Sequence, residues 1–164
     1  MNKEKLEEKI GEAIGLEMAA QKAVKELSSK GLLPEESTAK NKLEGMRKEA
    51  NNHQTVMEEI VTKLTKSEGL DSSNIEEMAK ETEQKATKMM ETYLGEDPDS
   101  QEALEFLCLA EGGEVTHYEV LNELTKEIKD KQIATKIKSI LEEEQKHLLL
   151  CTQLAKKNAL ELSS

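Results

Sequence analysis

The chain has few of the residues that mark membrane proteins, secreted disulfide folds and β-sheets. Its 164 residues include one Phe, no Trp, two Pro and two Cys. No apolar run approaches the roughly 20 residues of a membrane-spanning helix, and no signal-peptide pattern stands at the N-terminus. Two cysteines far apart in sequence do not make the disulfide framework of a small secreted domain. We therefore expect a cytoplasmic protein.

Basic residues are also in the minority. There are 23 Lys and Arg against 34 Asp and Glu, so the formal net charge at pH 7 is −11. Nucleic acids and anionic membranes both require a basic face on their protein partner. This charge balance excludes both from the expected partners.

Charged and helix-forming residues make up most of what is present. Charged residues account for 35% of the chain, and Glu, Lys, Leu, Ala and Met are abundant. This composition is typical of an all-α protein. A chain of this length is most simply one domain with a hydrophobic core. We therefore expect an all-α fold in which residues 1–164 form a single domain.

Apolar residues recur with the 3.6-residue period of a helix along most of the chain. Helix start and stop signals interrupt this period at Gly31, Pro34, Gly69, Ser73, Gly95, Pro98 and Asp130. The predicted helices span about 3–30, 34–66, 74–93, 98–129 and 131–158.

Short connections pair the four long helices into two antiparallel hairpins. The connection between the hairpins is much longer and contains the shorter helix at 74–93. Two hairpins joined by one long crossover form the arrangement of a ferritin-like four-helix bundle. A plain helical bundle of another topology is the alternative.

Each long helix carries Glu or His where its apolar period predicts a hydrophobic residue. These polar residues lie near the middle of their helices: Glu17, His53, Glu111, Glu114, Glu144 and His147. Without an ion, converging carboxylates would repel one another or take up protons. Carboxylates and imidazoles from four helices are the ligands of a di-iron or di-manganese site. The pattern therefore predicts a buried di-metal centre.

The motifs Glu111-Gly-Gly-Glu114 and Glu144-Gln-Lys-His147, together with Glu17, resemble the erythrin domain of rubrerythrins in the ferritin-like superfamily. The resemblance implies that the six polar residues above are metal ligands. It also implies a non-haem di-iron protein, or one with Mn or a mixed Fe/Mn pair, that binds Fe and reacts with O2 or hydrogen peroxide. Such a protein would be a peroxidase or a ferroxidase.

The second helix departs from the family pattern. The resemblance requires Glu-x-x-His there, but Ala50 occupies the Glu position before His53. Glu49 lies four residues before His53 and can share its helix face. We expect Glu49 to replace the missing ligand; otherwise one metal loses a carboxylate.

The resemblance also suggests two catalytic residues. Glu114 would be a carboxylate that moves as the metal charge changes, and Tyr118 would donate a hydrogen bond to a bridging carboxylate or be a redox-active neighbour. An interior tyrosine with a structural role is the alternative for Tyr118. No Cys-x-x-Cys pair is present, so electrons would come from an external donor or from the iron itself.

Three other functions stay open. The first is an iron-storage protein that assembles into shells. The second is a stress-linked metal-binding protein without turnover, and the third is a metal-free helical interaction module. We expect a homo-oligomer, from a dimer to a larger assembly.

Three smaller features carry alternatives of their own. His117 is an extra ligand, a hydrogen-bond partner of a ligand, or a structural histidine. Cys108 and Cys151 fall at one level of the last hairpin and are either small buried hydrophobes or a redox pair. Gly112 and Gly113 inside a helix indicate a π-bulge or a close helix approach.

Overall fold

The computed structural model describes all 164 residues and contains five α-helices and no strand, which confirms the all-α class. The helices are α1 (Lys3–Ser29), α2 (Ser37–Ser67), α3 (Ser72–Leu94), α4 (Ser100–Leu124) and α5 (Lys131–Ser163). A short 3₁₀ turn, Thr125–Glu127, follows α4. None of the helices is long and apolar enough to cross a membrane.

Side-chain caps place several helix starts later than the sequence signals do. The Glu36 carboxylate accepts from the Thr38 amide at 3.0 Å, so α2 begins at Ser37 and Pro34 lies outside it. A reciprocal capping box between Asp99 and Glu102 starts α4 at Ser100, two residues after the predicted position. A cap that satisfies free backbone amides outweighs proline's preference for the first turn.

The helices enclose two apolar cores stacked along the bundle axis. The lower core has 17 buried residues, among them Leu6, Met57, Ile75, Tyr118 and Ile137. The upper core has 14, among them Leu27, Leu43, Met90, Leu107 and Cys151. The first halves of α1, α3 and α5 and the last halves of α2 and α4 lie in the lower core. Therefore α1, α3 and α5 run upward, and α2 and α4 run downward.

Four of the helices form a closed bundle. Helix α1 packs on α2 and α4, and α5 packs on the same two, whereas the backbones of α1 and α5, and those of α2 and α4, do not approach closely. The order around the bundle is therefore α1, α2, α5, α4, and every neighbouring pair is antiparallel. The chain connectivity is up, down, down, up, and α3 returns the chain from the bottom to the top.

Helix α3 is a full-length fifth helix that packs along α1. It has 23 residues against 25 in α4, so it is the shortest of the five helices, as predicted, and it extends the predicted span 74–93 by three residues. Gly11 and Gly15 allow the close approach: a Cβ at Gly15 would lie 2.5 Å from the Ala79 carbonyl oxygen. Helix α1 is thereby buried on several sides. Met89 is exposed because α3 has solvent on its outer face.

Candidate metal centre

A layer of carboxylates and imidazoles separates the two apolar cores. Its six members come from α1, α2, α4 and α5 and are at most 4% exposed: Glu17, His53, Glu111, Glu114, Glu144 and His147. Each sits where its helix passes from one core to the other. The structure therefore brings together all six residues that the apolar periodicity marks as polar intrusions.

Five of these residues form two triads that share Glu144. Its Oε1 lies 2.8 Å from His53 Nδ1, which is also 3.2 Å from Glu17 Oε1. Its Oε2 lies 3.3 Å from His147 Nδ1, which is 3.7 Å from Glu111 Oε2. Within each triad the candidate ligand atoms lie within 4.8 Å of one another. Glu144 thus presents one oxygen to each histidine, the arrangement of a carboxylate that can bridge two ions.

Glu114 and Tyr118 lie in and just below this layer. Glu114 is 1% exposed and belongs to neither triad, and neither of its oxygens has a hydrogen-bond partner. Tyr118 is fully buried in the lower core and its hydroxyl also lacks a partner. The two residues predicted to be catalytic are therefore the least satisfied polar groups of the site.

The layer contains more acceptor oxygens than the protein satisfies. Besides Glu114 and Tyr118, one buried oxygen each of Glu17, Glu111 and Glu144 has no hydrogen-bond partner. A buried polar atom left unpaired costs about 1–3 kcal/mol. Coordination of a cation would compensate this cost, and the donor set of carboxylates and imidazoles suits Fe or Mn. The residues present therefore fit a metal centre.

The carboxylates do not all ionise alike. Burial, then the charge of Glu144, raises the pKa of Glu17 well above its usual range, and the same two causes raise that of Glu111 to about 7. Burial, then Glu111, raises the pKa of Glu114. Burial acts on Glu144 in the same direction, but His147 and His53 outweigh it and hold its pKa well below the usual range. Glu144 is therefore the one carboxylate of the layer whose pKa is lowered.

The surrounding carboxylates favour the charged form of both histidines. Burial opposes the imidazolium form of His53, but Glu144 and Glu17 outweigh it and raise its pKa to about 10. Glu111 and Glu144 likewise overcome burial at His147 and raise its pKa to about 11. Protons thus provide the positive charge between these carboxylates, and a metal would have to displace them.

The structure places Glu49 outside both triads. Its half-exposed carboxylate contacts the outer face of His147, with Oε2 2.7 Å from Nε2, and makes no hydrogen bond to His53. Ala50 is buried and contributes only a methyl group to the bundle interior. The missing ligand of the second helix therefore has no replacement within the triads.

Glu143 is a site residue that sequence reasoning missed. Its Oε2 lies 2.8 Å from His53 Nε2, on the side of the ring that faces away from Glu17 and Glu144. The signal in the sequence is a repeated spacing, since Glu143 precedes His147 by four residues as Glu49 precedes His53. That spacing predicts a pair within one helix, whereas the observed contact crosses between helices.

The remaining candidates lie away from the triads. His117 Nδ1 donates to the Gly113 carbonyl at 2.8 Å and Nε2 lies 3.2 Å from Glu12, so this histidine is a half-buried residue between α1 and α4. Cys108 and Cys151 are both free. The Cys151 thiol contacts the Met46 sulfur at 3.7 Å.

The glycine pair of α4 has neither of the predicted explanations. The helix is regular through Gly112 and Gly113, so there is no π-bulge. A Cβ at either glycine would meet nothing within 4 Å, so no neighbouring helix approaches closely there. The structure provides no physical account of this pair.

Comparison of the chain with protein-family models, with curated proteins and with solved structures finds no match. The side-chain geometry of the polar layer is therefore the basis on which a function is assigned. That geometry offers two adjacent sets of three candidate ligands with one shared carboxylate, and several buried oxygens without hydrogen-bond partners.

Proposed function

We propose that this chain is a ferritin-like di-metal carboxylate protein that binds two iron ions and reacts with O2 or hydrogen peroxide. The observation that carries the proposal is Glu144, whose two oxygens each face a different buried histidine. The ligand atoms fall into two separate groups of three that share Glu144, and this arrangement favours two ions over one. Mn, or one Fe and one Mn, would suit the same donors.

The fold supports the proposal. An up, down, down, up bundle with one long crossover is the ferritin-like topology, and proteins of that fold hold di-iron sites between their four helices. In this chain the polar layer lies between the four bundle helices, and each of them contributes at least one residue.

Different residues of the layer would hold the two ions. Glu17 and His53 would hold one ion, Glu111 and His147 the other, and Glu144 would bridge them. Bound iron would supply the electrons and the Lewis acidity for reduction of O2 or peroxide. Because the four helices bury the layer, bulk water is excluded from both triads.

Glu114 and Tyr118 would complete the reactive site. No hydrogen bond holds the Glu114 carboxylate, so this side chain is free to turn toward either ion as the charge of the site changes. Burial, and the nearby Glu17 and Glu144, raise the pKa of Tyr118 well above its usual range. Its hydroxyl therefore keeps a proton to donate at the lower edge of the layer. Repeated turnover would require an external electron donor.

Metal binding without turnover is a second candidate, and Ala50 favours it. The buried methyl group at this position leaves Glu144 as the one carboxylate common to both triads. Two ions joined by one bridge are held less tightly than two ions joined by two bridges.

Anaerobic titration with Fe(II) tests both candidates. We expect about two irons per chain, because each triad provides three ligand atoms. Glu144→Gln should lose most of this capacity, while Glu142→Gln, a matched change at an exposed position of α5, should keep it. Iron near zero for the unmodified chain would refute the proposal.

Oxidation of the loaded protein then separates the activities. A faster reaction of Fe(II) with hydrogen peroxide than with O2 would indicate a peroxidase, and the reverse a ferroxidase. Stoichiometric binding with neither oxidation would support metal binding without turnover.

A further inference from the structure

A Glu-x-x-x-His sequence occurs twice in this chain. Glu49 and His53 form the copy on α2, and Glu143 and His147 form the copy on α5. Residues four apart on a helix are neighbours, so each glutamate is expected to pair with the histidine of its own helix.

The structure shows the crossed arrangement instead. Glu143 Oε2 lies 2.8 Å from His53 Nε2, and Glu49 Oε2 lies 2.7 Å from His147 Nε2. The two helices are antiparallel, so the repeat on α2 faces its own copy on α5 with the order reversed. The imidazole rings lie between them, stacked with centroids 5.8 Å apart and planes at 27°.

Each histidine therefore has two different sides. On both rings, Nδ1 faces the buried carboxylates of a triad and Nε2 faces a carboxylate of the opposite helix. Exposure changes sharply across the ring: the His53 and His147 side chains are 1% and 5% exposed, whereas those of Glu143 and Glu49 are 36% and 51% exposed. Water can solvate the outer carboxylates, so they carry charge without the full cost of burial.

We propose that Glu49 and Glu143 are positioning residues. Each binds the histidine of the opposite helix and directs Nδ1 of that ring toward the metals. A neutral imidazole carries one N–H. An outer carboxylate keeps that proton on Nε2, where it can accept it, and leaves the Nδ1 lone pair for coordination. The two crossed contacts also fix the planes of the rings and link α2 to α5 at the level of the site.

The outer nitrogens are not a second pair of metal sites. An ion there would have one imidazole and one half-exposed carboxylate, whereas each inner triad provides three ligand atoms and lies beside buried oxygens without partners. Glu49 consequently acts on His147 as Glu143 acts on His53, and it does not replace the ligand missing at position 50.

This inference rests on the proposed metal function, and Zn²⁺ is a suitable probe because it is diamagnetic and binds N and O donors at least as tightly as Fe(II). In the zinc-loaded protein, labelled with ¹⁵N-histidine, NMR should show two slowly exchanging Nε2–H protons. Glu143→Ala should remove the protection of the His53 proton alone, and Glu49→Ala that of the His147 proton alone. Each variant should weaken zinc binding about 10- to 100-fold in calorimetry.

Conservative variants separate positioning from simple support of the fold. In Glu143→Gln and Glu49→Gln the side-chain oxygen still accepts from Nε2–H, so both protected protons and most of the affinity should return. Glu142→Ala, at an exposed position of α5, is the control and should match the unmodified chain.

Three results would overturn the inference. Zinc affinity and protection that do not change in the alanine variants would overturn it and leave the metal function intact. Loss of protection at the histidine of the same helix would show that the pairs are not crossed. Absence of zinc binding in the unmodified chain would overturn the metal function and, with it, the positioning role.

Discussion

Replacement of Glu114 by leucine should stabilise the metal-free protein while it weakens metal binding. Glu114 is 1% exposed and both of its oxygens lack partners. A buried unpaired polar atom costs about 1–3 kcal/mol, and an apolar replacement of similar shape removes that cost. Burial raises the pKa of Glu114 well above its usual range, which favours the neutral carboxyl group, so the cost per oxygen lies near the lower end of that range.

With two unpaired oxygens at about 1 kcal/mol each, we expect Glu114→Leu to raise the free energy of unfolding by about 2 kcal/mol. For a domain of 150–250 residues, 1 kcal/mol shifts Tm by about 2–4 °C, so the metal-free Tm should rise by about 4–8 °C. Thermal unfolding followed by circular dichroism in the presence of a chelator measures this shift. Glu119→Leu, the same change at an exposed position of α4, should stay within about 0.5 kcal/mol.

The same variant should gain less stability from iron than the unmodified chain, because one carboxylate of the layer is gone. A metal-free Tm that falls in Glu114→Leu would contradict the reasoning, since it would mean that the carboxyl group is satisfied. Equal iron affinity in both proteins would show that Glu114 does not reach the metals.

Three further changes have expected outcomes. Ala50→Glu should lower the metal-free Tm, because it buries another carboxylate, and should enlarge the Tm rise on Fe(II) loading; an unchanged rise would remove position 50 from the site. Gly15→Ala should lower the free energy of unfolding by about 1–3 kcal/mol, because the added methyl group overpacks against α3. Gly45→Ala, where nothing lies near the added methyl group, should leave stability unchanged or raise it. Equal Tm values for the two variants would contradict the close α1–α3 contact. The raised pKa values of His53 and His147, about 10 and 11, stabilise the metal-free fold below pH 6.5, so chemical denaturation should show stability falling as pH rises from 6.5 toward 10; a rise would contradict these shifts.

Periodicity alone predicts the composition of the polar layer. Glu17, His53 and Glu144 fall on apolar stripes, so any packing that buries the stripe buries them. Their central positions in helices of similar length place them at one depth in a bundle. These two properties are local to each helix, which is why six of the seven predicted ligands lie in the layer.

Helix ends and the role of α3 are less predictable from sequence. Several residues near each start are able to cap, and the one that succeeds depends on which side chain reaches the free amides, as Glu36 does for α2. The apolar stripe of α3 shows that it packs on something, but Gly11 and Gly15 become informative only when α3 is seen against them.

The sequence by itself predicts most of the buried residues, because burial largely follows from the side-chain spacing along each helix. Tertiary structure decides which buried residues meet. Glu49 and Glu143 are each four residues from one histidine, yet each binds the other one, because the antiparallel packing of α2 against α5 brings the partner's ring within reach. Contacts between helices depend on axial register and separation, and no property of a single helix specifies either.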